Sequence, residues 1–309
     1  TERYALADLS REMRSLFGNI RFMIEAYGQQ NAPARCRTFL CVSCSVLDAK
    51  LEKALSFLTE LLTGQRWENS GQVLAFLRQQ RAAMAEQMVM AGHNAAMSRV
   101  LACSTAEGAV QEQVSGITFL RWLAELEQDF PARFPALAED LKALSRRVFC
   151  LARMTISVTA GDKSSAGTAA RLLSSGLPEG SFVLPRAASI LPMEPRREGI
   201  VIPSGVSYAA LGGVFQKAGR GAAKVMGHTV SLAHLWNTVR VQGGAYGTGM
   251  VLRDTGFAGF FSYRDPSAAR TMDCYRASAD FLRGIGDMDL TGMITGTVAE
   301  SDPLLTPRM

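Results

Sequence analysis

The sequence predicts an α+β protein of two domains, and three observations carry that reading. The chain has 309 residues, 48% of them hydrophobic and 20% charged, which is the balance of a globular protein with a sizeable core. Its periodic segments run helix, two strands, several helices, strand, and not as a repeating strand-helix-strand array. Segment 161–198 then changes character, with Gly176, Pro178, Gly180, Pro185, Pro192 and Pro195 punctuating it. The expected division is a first domain over 1–178, a linker over 179–198 and a second domain over 199–309.

In the first domain a helix is expected over Tyr4 to Phe17. Strands follow at Ile20 to Tyr27 and Thr38 to Ser45, with Gly28 and Pro33 as turn residues between them. Ser45 stands three residues before Asp48 in a capping-box-like start. Leu47, Leu51, Ala54, Leu55, Leu58, Leu61 and Leu62 then recur at helical spacing until Gly64, an amphipathic helix for packing on a sheet. Further helices are expected over Gly71 to Arg99, Glu107 to Leu126 and Phe134 to Arg147, and Met154 to Ala160 alternates as a strand. A short helix is expected around Ala169 to Leu173. The second domain repeats this logic: strands at Gly199 to Ile202 and Ser207 to Phe215, a helix over Ala222 to Val239, and a hairpin of Tyr246 to Leu252 with Gly256 to Tyr263 around Asp254. A helix over Ala268 to Arg283 follows, and the domain stops early at Met309.

Several function classes fall away on composition. The chain begins at Thr1 and enters helix-like sequence at once, so it is expected to be a piece of a longer protein, with no targeting signal in view. No window approaches the roughly 18 consecutive apolar residues of a membrane span, so no membrane partner is expected. The net charge of +5 is spread among acids such as Glu125, Glu127, Asp129, Glu139 and Asp140, without the basic block and interleaved aromatics of a nucleic-acid binder. Six cysteines, at 36, 41, 44, 103, 150 and 274, are scattered through apolar stretches, which favours a cytoplasmic or other reducing compartment. Cys41 and Cys44 have Cys-x-x-Cys spacing, yet they lie in a strand-like run that points them to opposite faces, with no second ligand pair nearby.

The three histidines, His93, His228 and His234, form no His-x-x-Glu-His motif. His228 and His234 are six apart on an expected helix and point different ways, so metal ligation is expected nowhere in this chain. His93 is expected to cap or join helices. No Gly-x-Ser-x-Gly elbow is present, and the glycines of 243–249 lack the Lys-Ser/Thr ending of a phosphate loop. What that run offers is a backbone able to adopt positive φ or to let another chain come close. Arg240 and Tyr246 flank it.

The block Leu235-Trp236-Asn237-Thr238-Val239-Arg240-Val241-Gln242-Gly243-Gly244-Ala245-Tyr246-Gly247 resembles the last domain of presequence proteases, a subfamily of pitrilysin/insulinase-type zinc peptidases that degrade short unstructured peptides. Phe261-Ser262-Tyr263-Arg264-Asp265-Pro266 continues the likeness, and Asp280-Phe281-Leu282-Arg283 extends it more loosely. Ala91-Gly92-His93-Asn94-Ala95-Ala96-Met97-Ser98-Arg99 and Gly116-Ile117-Thr118-Phe119-Leu120 resemble the family's third domain. The resemblance implies two similar α/β-sandwich domains, each a largely antiparallel sheet packed by helices, the second of them truncated. It implies a non-zinc, substrate-binding C-terminal half whose partners are a peptide and the N-terminal catalytic half. Zinc and its general-base glutamate would lie in that other half, leaving the isolated chain inactive and without a cofactor of its own. The alternative is a catalytically inactive scaffold or partner subunit of the same fold. The family's arginine and tyrosine fall on Arg240 and Tyr246, which would hydrogen-bond the substrate carbonyl or backbone, with Gly243, Gly244, Ala245 and Gly247 as substrate-binding neighbours. Ser262, Tyr263 and Arg264 are expected to be structural.

Overall fold

The computed structural model describes residues 1–161, 163–181, 191–215 and 220–302. Helix and antiparallel sheet are mixed, as an α+β reading requires. The chain forms two compact units interleaved along the sequence. One comprises Thr1–Glu25, Phe39–Gln80 and Leu123–Ala188; the other comprises Ala26–Thr38, Arg81–Trp122 and Ser189–Met309. Pro185 and much of the expected linker lie outside the described residues. No described helix is long and apolar enough to cross a membrane.

Helix α1 (Leu6–Leu16) runs into β1 (Phe17–Gln29), which pairs with β2 (Ala32–Val46) in a two-stranded ribbon. The reversal sits at Gln30 and Asn31, with Asn31 in the left-handed region at φ 53°. Asparagine tolerates that conformation, so the turn forms there; Gly28 and Pro33, expected as turn residues, lie within the strands. Helix α2 (Leu51–Thr63) begins after a short 3-10 turn over Asp48–Lys50 and has no side-chain cap. Ser45 is still in β2, so the expected capping box is not made. The first unit's core gathers Leu16, Phe17, Leu55, Phe57, Leu58 and Leu62 against Leu173 and Leu177, the last two from α8 (Lys163–Gly176) and the residue following it. Phe57 is wedged between Tyr4 and Phe17, with ring centroids at 5.1 and 6.2 Å.

Four of the remaining helices arise where the sequence suggests two. Helix α3 (Ser70–Met90) stops at Ala91, whose φ and ψ are not helical, and α4 (Gly92–Ala102) restarts. Helix α5 (Ala106–Ser115) is capped by Thr105, which accepts from the Gly108 N–H at 3.0 Å, and ends at Gly116 before α6 (Ile117–Gln128). Helix α7 (Phe130–Val148) extends four residues upstream of the expected start. Segments 154–160 and 199–202, both expected as strands, carry no regular secondary structure. Alternation makes a strand only where a neighbour accepts its backbone hydrogen bonds, and Val201 is 98% exposed.

In the second unit β3 (Ser207–Val214), β4 (Gly247–Arg253) and β5 (Phe257–Asp265) form an antiparallel sheet in the order β3-β5-β4. Helix α9 (Arg220–Thr229) continues as a π-helix over Val230–Val241; α10 (Ala268–Arg283) and α11 (Thr291–Ser301) follow β5. Side chains alternate across the sheet. Ala209, Leu211, Met250 and Phe260 turn to one face, packing with Val230, Leu235 and Val239 of the π-helix and Tyr275 of α10. Phe261 and Tyr263 meet His93 of α4 on the other.

Helix α4 is also clasped by a buried ionic network. The Arg99 guanidinium, 6% exposed, donates to Glu112 Oε1 at 3.0 Å, to Thr118 Oγ1 at 3.0 Å and to both oxygens of Glu198 at 2.8 and 2.9 Å. Hydrogen bonding from Arg99 holds the Glu198 carboxyl below its ordinary value near 4.5. A carboxyl depressed on folding contributes stability that is present above its unfolded value and lost as pH falls through the folded one. Glu198→Gln is therefore expected to lower stability by about 1–2 kcal/mol at pH 7. Melting curves of the variant and the parent should converge in acid below the folded value; an equal difference at all pH values would assign the loss to packing instead.

Candidate functional site

The site is built at the end of the π-helix. There the Gln242 N–H reaches back five residues to the Asn237 carbonyl at 3.0 Å. π-helical stretches are rare and occur frequently at functional positions. The Gly244 N–H donates to the Arg240 carbonyl at 2.9 Å and the Ala245 N–H to the Val239 carbonyl at 3.1 Å, which uses up carbonyls the helix end would otherwise orphan. This closure demands the two glycines. A Cβ on Gly243 would fall 2.4 Å from the Val239 carbonyl oxygen, and Gly244 sits at φ 80°. Their local task is thus to end the helix, a role that the spacing of the motif does not reveal.

Arg240 is half-buried and lies over the Trp236 ring with Cζ 3.9 Å from the centroid. The Tyr246 ring centroid stands 5.8 Å from the same Cζ. No carboxylate within ion-pair distance meets this guanidinium among the described residues. The stacked aromatic faces attract the cation while leaving its N–H groups free to donate. Tyr246 is 68% exposed, its N–H donating to the Tyr263 carbonyl at 3.0 Å and its ring meeting Tyr263 edge-on at 5.8 Å and 78°. Arg264, exposed and at φ 48°, lies with Cζ 5.5 Å from the Tyr263 ring.

Behind these surface groups a buried polar set holds the strand end. Ser262 Oγ donates to Asp265 Oδ2 at 2.7 Å and accepts the Ala209 N–H at 3.1 Å, while Asp265 Oδ1 accepts the Ser267 N–H at 2.8 Å. Ser262 and Asp265 are 0% and 1% exposed, so the turn that carries Tyr263 and Arg264 into α10 is fixed from within.

The structure therefore brings Arg240 and Tyr246 together at one surface. Gly243 and Gly244 line the turn between them and Gly247 opens β4 directly after Tyr246, Gly244 exposed and the other two half-buried. Ala245 is placed differently from its flanks: its methyl is 3% exposed and packs in the core with Val239 and Tyr275, turned away from that surface. Trp236 has no part in the expected site, although its spacing of four from Arg240 on a helix is a readable signal. His228 and His234 diverge. His228 Nδ1 is 3.4 Å from Glu300, and His234 stacks on Phe281 at 5.0 Å with Nε2 3.0 Å from the Cys274 carbonyl. Among the described residues no three His, Cys, Asp or Glu side chains cluster as a metal site. A separate concavity of about 390 Å³, walled by Met84, Met88, Met97, Leu101, Arg253 and Phe257, shares no residue with the Arg240 and Tyr246 set.

Residues 1–126 match the family model of the region associated with M16 peptidases of subfamily C, and residues 197–308 match that of the PreP C-terminal domain. The chain belongs to the presequence-protease-like group of the M16 peptidases and corresponds to its C-terminal region. Among its relatives is presequence protease 1, chloroplastic/mitochondrial, of Arabidopsis thaliana, 34% identical over 244 residues that cover 75% of this chain and 22% of that protein. Protein HypA of Clostridium perfringens is 26% identical over 309 residues, covering 98% of this chain and 31% of the relative. The mitochondrial presequence protease of Saccharomyces cerevisiae is 24% identical over 266 residues, 79% of this chain and 27% of that protein. The chain thus spans less than a third of the length of these three relatives.

Proposed function

We propose that this chain is the substrate-binding, non-zinc half of a zinc metalloendopeptidase that degrades short unstructured peptides. In this reading 1–178 and 199–309 are the family's third and fourth domains, each of pitrilysin type, and the N-terminal half of the same protein is the partner. The described side chains gather no set of three metal-ligating groups, so the zinc is assigned to that partner. The observation that carries the proposal is the Arg240 guanidinium, resting over the Trp236 ring and near the Tyr246 ring with no carboxylate to neutralise it among the described residues.

A peptide laid across this surface would meet a planar cation and a phenol side by side. As a scissile carbonyl is attacked its oxygen becomes negative, and hydrogen-bond donors already aimed at that position stabilise the transition state without reorganising. Arg240 and the Tyr246 hydroxyl supply such donors, to that oxygen or to the adjoining backbone.

In the full-length protein, Arg240→Ala is expected to lower kcat/KM for a fluorogenic unstructured peptide by about 10²-fold with the fold intact by circular dichroism. The 309-residue chain alone is expected to cleave nothing. Cleavage by the isolated chain, or an Arg240→Ala enzyme as active as the parent, would remove the reading. A full-length sequence lacking His-x-x-Glu-His upstream of Thr1 would leave the inactive scaffold in its place.

A further inference from the structure

His93 is the second residue of α4, on the face turned to the sheet. Its ring meets Tyr263 edge-on at 4.9 Å and 68°, with Phe261 at 5.7 Å and Tyr208 at 6.2 Å. Tyr208 is itself pinned, its hydroxyl donating to the Val89 carbonyl at 2.6 Å. The His93 Nδ1 is buried without a hydrogen-bond partner among the described residues, and burial pushes the imidazole below its ordinary value. A neutral ring in contact with three aromatic rings is a packing element.

Its position matters because of what Tyr263 does next. Tyr263 takes the Tyr246 N–H on its carbonyl and meets the Tyr246 ring edge-on. Edge-to-face aromatic pairs have a preferred geometry that adds to area burial, so one ring orients the next. Tyr246, mostly solvent-exposed, has only Tyr263 and Arg240 as ring neighbours among the described residues. We infer that His93 is a positioning residue for Tyr246, acting through the Tyr263 ring. His93 lies in the stretch matched by the first family model and Tyr246 in that matched by the C-terminal domain model, so the first region helps shape a site carried by the second. The kinetic part of this inference rests on the function proposed above; the positional part does not.

Two measurements test it. In the 309-residue chain with ¹³C-labelled tyrosine, the Tyr246 ring signals, assigned with Tyr246→Phe, should carry a ring-current shift from Tyr263. His93→Ala is expected to move them toward free-tyrosine values, and His93→Phe, which keeps a ring in place, to hold them. Should His93→Ala not fold, His93→Leu preserves the volume without the ring and carries the same expectation. In the full-length enzyme, His93→Ala should lower kcat about 10-fold with KM little changed, and His93→Phe should restore it.

Tyr246 signals that stay put in His93→Ala would overturn the inference, as would equal shifts in the alanine and phenylalanine variants. If the signals follow the ring while Tyr246→Phe leaves kcat unchanged, positioning stands and the peptidase role of Tyr246 falls. If Tyr246→Phe lowers kcat while the signals ignore His93, the opposite holds.

Discussion

Arg99→Met is expected to destabilise the second unit by about 3–5 kcal/mol, because it leaves a buried carboxylate without its counter-charge. Glu112 is fully buried and accepts from Ser98 Oγ, Arg99 Nη1 and the Thr118 N–H and Oγ1. The three neutral donors remain in the variant, yet only Arg99 supplies a positive charge. Coulomb attraction at 3.0 Å offsets the desolvation of both ions, and removing one partner exposes the full penalty of the other. The same substitution frees Glu198, which anchors segment 191–206 to α4. Methionine fills similar volume, so cavity formation contributes little. Chemical denaturation should show the loss directly, and Arg99→Met combined with Glu112→Gln should recover much of it, since the amide needs no cation. A single variant within about 1 kcal/mol of the parent would mean that water or another group neutralises Glu112.

That network also marks a limit of sequence reading. Arg99 and Glu112 are 13 residues apart and Glu198 is a further 86 along, so no local pattern links them. Elements defined by nearby residues were legible. Helix α10 occupies the expected Ala268 to Arg283, and β4 and β5 turn around Asp254 as expected, since period and turn residues are local properties. A strand pattern was not sufficient by itself: β3 forms where it was expected because β5 pairs with it, whereas 154–160 and 199–202, also expected as strands, stay irregular.

The candidate site divides in the same way. Arg240 and Tyr246 were legible through a motif, and their convergence follows from a helix end and a two-glycine turn. The π-helix left no signal, because i to i+5 bonding changes backbone geometry without demanding particular residues. The inward turn of Ala245 was hidden for another reason: the closure that ends the helix and the packing behind β4 decide which side of the chain faces the core. His93 stands at a helix joint, as its neighbours in sequence suggest, but its aromatic contacts do not show there. Those rings lie more than 100 residues away, on strands whose register sets the contact.

Tyr246→Phe in the full-length protein is expected to reduce kcat about 10²-fold, roughly 2.7 kcal/mol of transition-state stabilisation, with KM changed little. Phenylalanine keeps the ring, so the edge-on contact with Tyr263 and the face toward Arg240 persist and only the hydroxyl is lost. The hydroxyl has no hydrogen-bond partner among the described residues, so its removal should alter stability by less than about 0.5 kcal/mol. A catalytic loss without a stability loss would isolate a donor that acts on the reacting peptide. Trp236→Ala offers the complementary measurement. It removes the surface on which Arg240 rests, worth about 0.5–1 kcal/mol at an exposed site, and should cost roughly two- to fivefold while leaving the phenol in place. Unchanged kcat in Tyr246→Phe, with Trp236→Ala still impaired, would assign the chemistry to the guanidinium alone and reduce Tyr246 to a wall of its cage.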